Sequence, residues 1–133
     1  MISHKQVEEY LLGMPDAKLD YPFGEEVAVY KVMRGRAVRG ETSHKTSHKS
    51  EGKIFALVAE KSEPVRISLK CDPLLAETLR EKYETVMPGY HLNKKHWNTI
   101  VLSGQLNWEE VQALVRLSYD LVTGQQTTAV NLV

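Results

Sequence analysis

The sequence predicts an α+β fold, in which an antiparallel sheet of about five strands is packed on one face by N- and C-terminal helices. Three observations predict it. Apolar residues recur at helical spacing near both ends of the chain. Between them, β-branched and aromatic runs are separated mostly by turns. No glycine-rich loop opens a helix, so the pattern is not that of a βαβ nucleotide fold.

The first helix opens at Ser3, with Gln6 completing a capping box. Val7, Tyr10, Leu11 and Met14 form its apolar stripe, and Met14-Pro15 ends it, because a residue before proline avoids the helical region. A short strand is expected around Lys18 to Tyr21. Val27 to Met33 and Ile54 to Glu60 read as central strands, apolar on both faces. Val65 to Lys70 alternates. Val65, Ile67 and Leu69 point to the core, and Arg66, Ser68 and Lys70 point away.

Asp72-Pro73 starts a helix, with aspartate as the cap and proline at the first helical position. Its buried stripe is read as Leu75, Leu79 and Tyr83. Pro88-Gly89 reads as a turn and Trp97 to Leu102 as a strand, with Trp97 assigned to the core. The last helix is capped by Asn107 with Glu110 in the capping-box position. Val111, Leu114, Val115, Ser118, Leu121 and Val122 form its core face, and Gly124 is its C-terminal stop. Residues 1–124 are thus expected to be one domain, with an inserted loop at 34–52 and a tail at 125–133. The loop carries the tandem repeat TSHK-TSHK over Thr42–Lys49, and its low complexity favours disorder.

The 133 residues and 15.1 kDa suit a single domain with a real core. The lone Cys71 excludes an internal disulfide and reads as a structural thiol. No stretch approaches the roughly 20 apolar residues of a membrane helix, and the charged N-terminus is unlike a signal peptide. The expected location is therefore the cytoplasm. Net charge is +0, without the basic excess of a dedicated nucleic-acid binder. The charges are unevenly spread, however. Lys31 to Lys53 holds seven basic residues against Glu41 and Glu51, a net of +5. No acid lies between Glu84 and Glu109, where Lys94 and Lys95 fall, whereas Glu8, Glu9, Asp16, Asp20, Glu25 and Glu26 cluster early. A basic side and an acidic side are expected.

The segments PFGEEVAVYKV (Pro22–Val32), KIFALV (Lys53–Val58), SLKCDPLLAETLR (Ser68–Arg80) and PGYHLNKKHWNTIVLSG (Pro88–Gly104) together resemble the MmcQ/YjbR family, as does Ser118–Val122. The resemblance covers roughly Val7 to Val122. It implies a CyaY-like fold and DNA binding by a double-wing arrangement of hairpins, and it brings no enzymatic activity with it. The chain departs from the family pattern at Arg34–Gly52, where relatives have a tight hairpin.

The residues singled out for binding are Tyr90, His91, Asn93, Lys94, Lys95 and His96, with Arg66 and Lys70 on the open strand face. Arg34, Arg36 and Arg39 in the loop are secondary. Lysines neutralise phosphate charge, Asn and His add hydrogen bonds, and Tyr90 offers a stacking surface. Against this stands the reading that Asn93 caps a short turn and that Arg66 and Lys70 merely solvate a strand. The strand residues gain meaning only beside Lys94 and Lys95.

His44 and His48 lie in a lysine-flanked loop, and His91 and His96 have no nearby carboxylate, so no metal is expected. Frataxin-type iron binding uses an acidic helical face, and the first helix offers only Glu8 and Glu9. No catalytic constellation is present, since Glu25, Glu26 and His96 make no motif. The expectation is a non-enzymatic DNA-binding module without a cofactor, making weak and largely sequence-independent phosphate contacts. The alternative is a protein-interaction or small-ligand adaptor on the same fold.

Overall fold

Side-chain caps set the helix starts. The computed structural model describes residues 2–33, 52–89 and 92–124. Ser3 caps α1 (His4–Leu12) and Asn107 caps α3 (Trp108–Thr123), each in a full capping box. Asp72 caps α2 (Pro73–Lys82), accepting from the amides of Leu74 and Leu75. Gly124 ends α3 at φ 78°, a conformation that glycine adopts without the steric cost of a Cβ.

The strands are β1 (Ala17–Asp20), β2 (Val27–Val32), β3 (Lys53–Ala59), β4 (Arg66–Lys70), β5 (Val86–Pro88) and β6 (Trp97–Val101). They form one antiparallel sheet in the order β1-β2-β3-β4-β6-β5. The sheet has six strands, one more than the sequence suggests, because β5 runs into Pro88, the first residue of the expected turn. Three residues ending in proline give too short a pattern to be seen, and only pairing with Thr99 and Ile100 on β6 makes them a strand.

Ala28, Tyr30, Ala56, Val58, Ile67, Leu69 and Ile100 share one face of the sheet and form the core with Val7 and Leu11 of α1 and Val111, Leu114 and Val115 of α3. All three helices therefore back this face. In α2 only Ala76 is fully buried, while Leu79 and Tyr83 pack at its margin. On α3, Leu121 is 48% exposed, against the expectation, and Tyr119 takes the buried place. The Tyr119 ring stands edge-on to Phe55 at 5.4 Å, and its hydroxyl donates to the Pro15 carbonyl.

The β2–β3 ladder shifts register between Tyr30 and Lys31, leaving Phe55 as the extra residue. The β3–β4 register runs from Val58–Ile67 to Ala56–Leu69 and stops short of Phe55 and Lys70. Ser118 of α3 serves both, as its hydroxyl donates to Phe55 O at 2.6 Å and accepts from Lys70 N at 2.9 Å. Ser118 is 0% exposed, so one helix side chain closes a gap between two strands.

Candidate functional site

The strand order fixes which ends of the elements meet. The β2–β3 and β5–β6 connections both leave the sheet at the same end, and the C-terminus of β4 lies between them. Lys70, the last residue of β4, stands opposite Trp97, the first of β6. Lys18 stands opposite Lys31 at this same end, and Lys53 opposite Val32. The turn carrying Lys94 and Lys95, both exposed, leads into Trp97.

This turn is locally fixed. Asn93 Oδ1 accepts from Lys95 N at 2.9 Å, and Asn93 O accepts from the amides of His96 and Trp97. Asn93 is thus the cap that the sequence suggested. His96 O accepts from Cys71 N at 2.7 Å, tying the turn to the end of β4. Gly89 donates to Trp97 O, and a Cβ on Gly89 would stand 2.8 Å from the Trp97 Cβ, so only glycine fits there. From α2, Arg80 Nη1 donates to Lys94 O at 3.2 Å and to Asn98 Oδ1 at 2.7 Å. Asn98 is 2% exposed and donates in turn to Ala76 O.

The structure therefore places Lys70, Lys94, Lys95 and His96 at one end of the sheet and Arg66 at the other. Arg66 pairs with Val101 at the other end of β4, about 13 Å away along the strand. Tyr90, His91, Arg34, Arg36 and Arg39 lie outside the described residues, although Met33 and Gly52, which flank the loop, stand at the lysine-rich end. The rest of the expected 34–52 loop through residue 51, with its TSHK repeat, and the 125–133 tail likewise lie outside them. Trp97 is half-buried and belongs to the face opposite the helices, which corrects its assignment to the core. Its neighbours there are Lys70 and Thr99, and the Thr99 hydroxyl is 2.8 Å from that of Ser68. Sequence reasoning missed Arg80 and Asn98, because nothing in their local pattern shows that a helix and a strand 18 residues apart converge on one turn.

The opposite end of the sheet is acidic. Glu25 and Glu26 precede β2, Glu60 and Glu63 lie in the β3–β4 turn, Glu84 precedes β5, and Glu109 and Glu110 begin α3. Tyr21 donates to Glu60 Oε2 at 2.6 Å, and this bond pushes the phenol up to about 12. Back at the lysine-rich end, Lys31 pairs with Asp20 at 3.1 Å, and that hydrogen bond lowers the Asp20 carboxyl. Of the expected acidic side, Glu25 and Glu26 fall at the acidic end, whereas Asp16 precedes β1 at the lysine end, and Arg34, Arg36, Arg39, Lys45 and Lys49 of the expected basic side lie outside the described residues.

Cys71 is buried beside an apolar cleft of about 10 Å³ lined by Leu69, Leu79, Ile100, Leu114 and Leu117. Burial, followed by the neighbouring Asp72 charge, raises its thiol from 9.0 to about 11. The thiolate is the nucleophile, so Cys71 in the native protein should react with a thiol-specific disulfide reagent far more slowly at pH 8 than in urea. Equal rates would show that the site opens readily. Between pH 9 and pH 11 the folded chain keeps a proton that the unfolded chain has released, so this group makes stability fall as pH rises through that window. No group of three or more His, Cys, Asp or Glu side chains suited to a metal occurs among the described residues. None of the described helices is long and apolar enough to cross a membrane.

An antiparallel sheet backed by helices on one face, with two connections flanking a lysine-rich strand end, defines a small α+β domain whose distinctive surface is that end. The YjbR family pattern matches residues 12–121, and the chain belongs to the YjbR family. Over 74 residues it is 43% identical to the uncharacterised protein YjbR of Escherichia coli K12, a match covering 56% of this chain and 63% of that relative's length. It is 29% identical to the uncharacterised protein YbdF of Escherichia coli O157:H7, covering 90% of this chain and 83% of YbdF. Protein DR2400 of Deinococcus radiodurans, a crystal structure, superposes with TM-score 0.77 at 33% identity, covering 99% of this chain and 88% of that one.

Proposed function

We propose that this domain binds duplex nucleic acid, without catalysis, through the lysine-rich end of its sheet. The observation that carries the reading is the placement of Lys70, Lys94 and Lys95 between and upon the two strand connections, with Glu25, Glu26, Glu60, Glu63 and Glu84 at the far end. Lysines so placed neutralise phosphates, and a turn held by its own hydrogen bonds presents them without a large ordering cost. These lysines sit on a strand end and a tight turn rather than along a helix face, so the contacts are to the backbone rather than to base edges. Binding is therefore weak, salt-dependent and largely indifferent to sequence.

The test is fluorescence anisotropy of a labelled duplex titrated with the protein at about 50 mM and 150 mM salt. Affinity should fall as salt rises, with a slope of log affinity on log salt near −0.9 for each phosphate contacted. No binding at the lower salt would reject the reading. A second reading, an adaptor for another protein, draws on Phe23, which is 64% exposed beside Glu25 and Glu26 at the acidic end. It predicts that Phe23→Ser, not a change in the lysines, removes partner binding.

A further inference from the structure

Resting on the nucleic-acid reading, we infer that Arg80 is a positioning residue for the phosphate-binding turn and not itself a phosphate contact. A partly exposed arginine close to Lys94 would ordinarily be counted with the basic surface. Here its guanidinium is directed inward. One nitrogen, Nη1, donates both to the Lys94 carbonyl at 3.2 Å and to the Asn98 side-chain oxygen at 2.7 Å. Asn98 is held in its turn, because it is buried and its amide donates to Ala76 O in α2. The result is a strut running from the first half of α2 through Asn98 and Arg80 to the peptide that joins the two lysines.

That strut acts on the segment whose geometry matters. The internal bonds of the turn, from Asn93 to Lys95, His96 and Trp97, fix its shape. They do not fix its orientation relative to the rest of the domain. The Arg80 bonds tie it to α2, as the Cys71–His96 bond ties it to β4. A charge-assisted hydrogen bond to a buried, already satisfied amide side chain is stronger than a neutral one, and the planar guanidinium has little freedom left to lose. Losing the strut leaves both lysines charged and present, but each then has to be ordered at the moment of binding.

Two variants separate this role from a direct contact. Arg80→Ala removes the strut, and Asn98→Leu removes its anchor while leaving every surface charge in place. Hydrogen exchange of the DNA-free protein should quicken at the Lys95, His96 and Trp97 amides by roughly tenfold in both variants. The amides at the centre of α3 should be unchanged, which shows that the fold is intact. Duplex affinity should fall roughly two- to tenfold, with the salt slope of the wild-type protein retained. A slope reduced by about 0.9 in Arg80→Ala would mean that the guanidinium itself contacts phosphate and would overturn the inference. So would unchanged exchange at the turn in Arg80→Ala. If the wild-type protein binds no duplex, the nucleic-acid reading fails by itself, and the exchange measurement still decides whether Arg80 holds the turn. Should Asn98→Leu lose its fold, Arg80→Ala decides alone, since Arg80 is only partly buried.

Discussion

Replacing Lys94 and Lys95 by alanine together should weaken duplex binding on the order of a hundredfold at 50 mM salt. The estimate follows from counterion release. Each phosphate contact contributes about 0.9 to the salt slope, and carried from 1 M down to 0.05 M salt this amounts to roughly one order of magnitude in affinity per lysine. The slope should fall by about 1.8 for the pair. Both side chains are exposed and neither takes part in an ion pair given by the structure, so the fold should be untouched. Lys61→Ala is the matched control, because Lys61 is equally exposed but sits in the β3–β4 turn at the acidic end. Its affinity should change by less than about twofold, since charges farther than a Debye length from the contact are largely screened. A loss per charge removed that is equal in the two variants, about tenfold for Lys61→Ala, would show that net charge, not this turn, governs binding.

Ser118→Ala should cost about 2–4 kcal/mol of stability, or roughly 10 °C in melting temperature. The hydroxyl answers two buried backbone groups at once, Phe55 O and Lys70 N, and each orphaned group costs about 1–3 kcal/mol. Thr78→Ala provides the contrast. Its hydroxyl also bonds a backbone carbonyl, that of Leu74 at 3.0 Å, but on the exposed side of α2, where water replaces it. That change should stay within about 0.5 kcal/mol. Urea unfolding of both variants measures the difference. A loss below about 1 kcal/mol for Ser118→Ala would mean that water enters the bulge or that the strands close over it. Because Lys70 is one of the two groups served, the variant should also loosen the basic strand end.

The parts legible in the sequence were those decided locally. Caps at Ser3, Asp72 and Asn107 depend on residues two or three positions away, and all three form as read. The alternation of Val65 to Lys70 gave both the strand and its faces, because the period of two leaves one assignment. What stayed hidden depends on pairing across the chain. Arg66 and Lys70 look equivalent in sequence, two positions apart on one face from Ser68, but the β4–β6 register puts one at the acidic end and the other beside Trp97. Trp97 was assigned inward by hydrophobicity, whereas its register with Lys70 places it on the face away from the helices. Leu121 fits the helical stripe but is 48% exposed, while Val122 beyond it still packs against the core and Tyr119 makes the contact with Phe55. Likewise the shared strand end of Lys70 and the 94–95 turn needed the order β4-β6-β5, which skips the helix between them.

Among the described residues, an excess of lysine at one end of the sheet and of glutamate at the other gives an electric dipole along the strands. A neutral body feels little net pull from a distant polyanion, but a dipole feels a torque. On the nucleic-acid reading, the domain should turn its lysine-rich end towards a phosphate backbone before any atom touches. The same asymmetry should let the protein be retained weakly on both cation and anion exchangers at pH 7, although its net charge is +0.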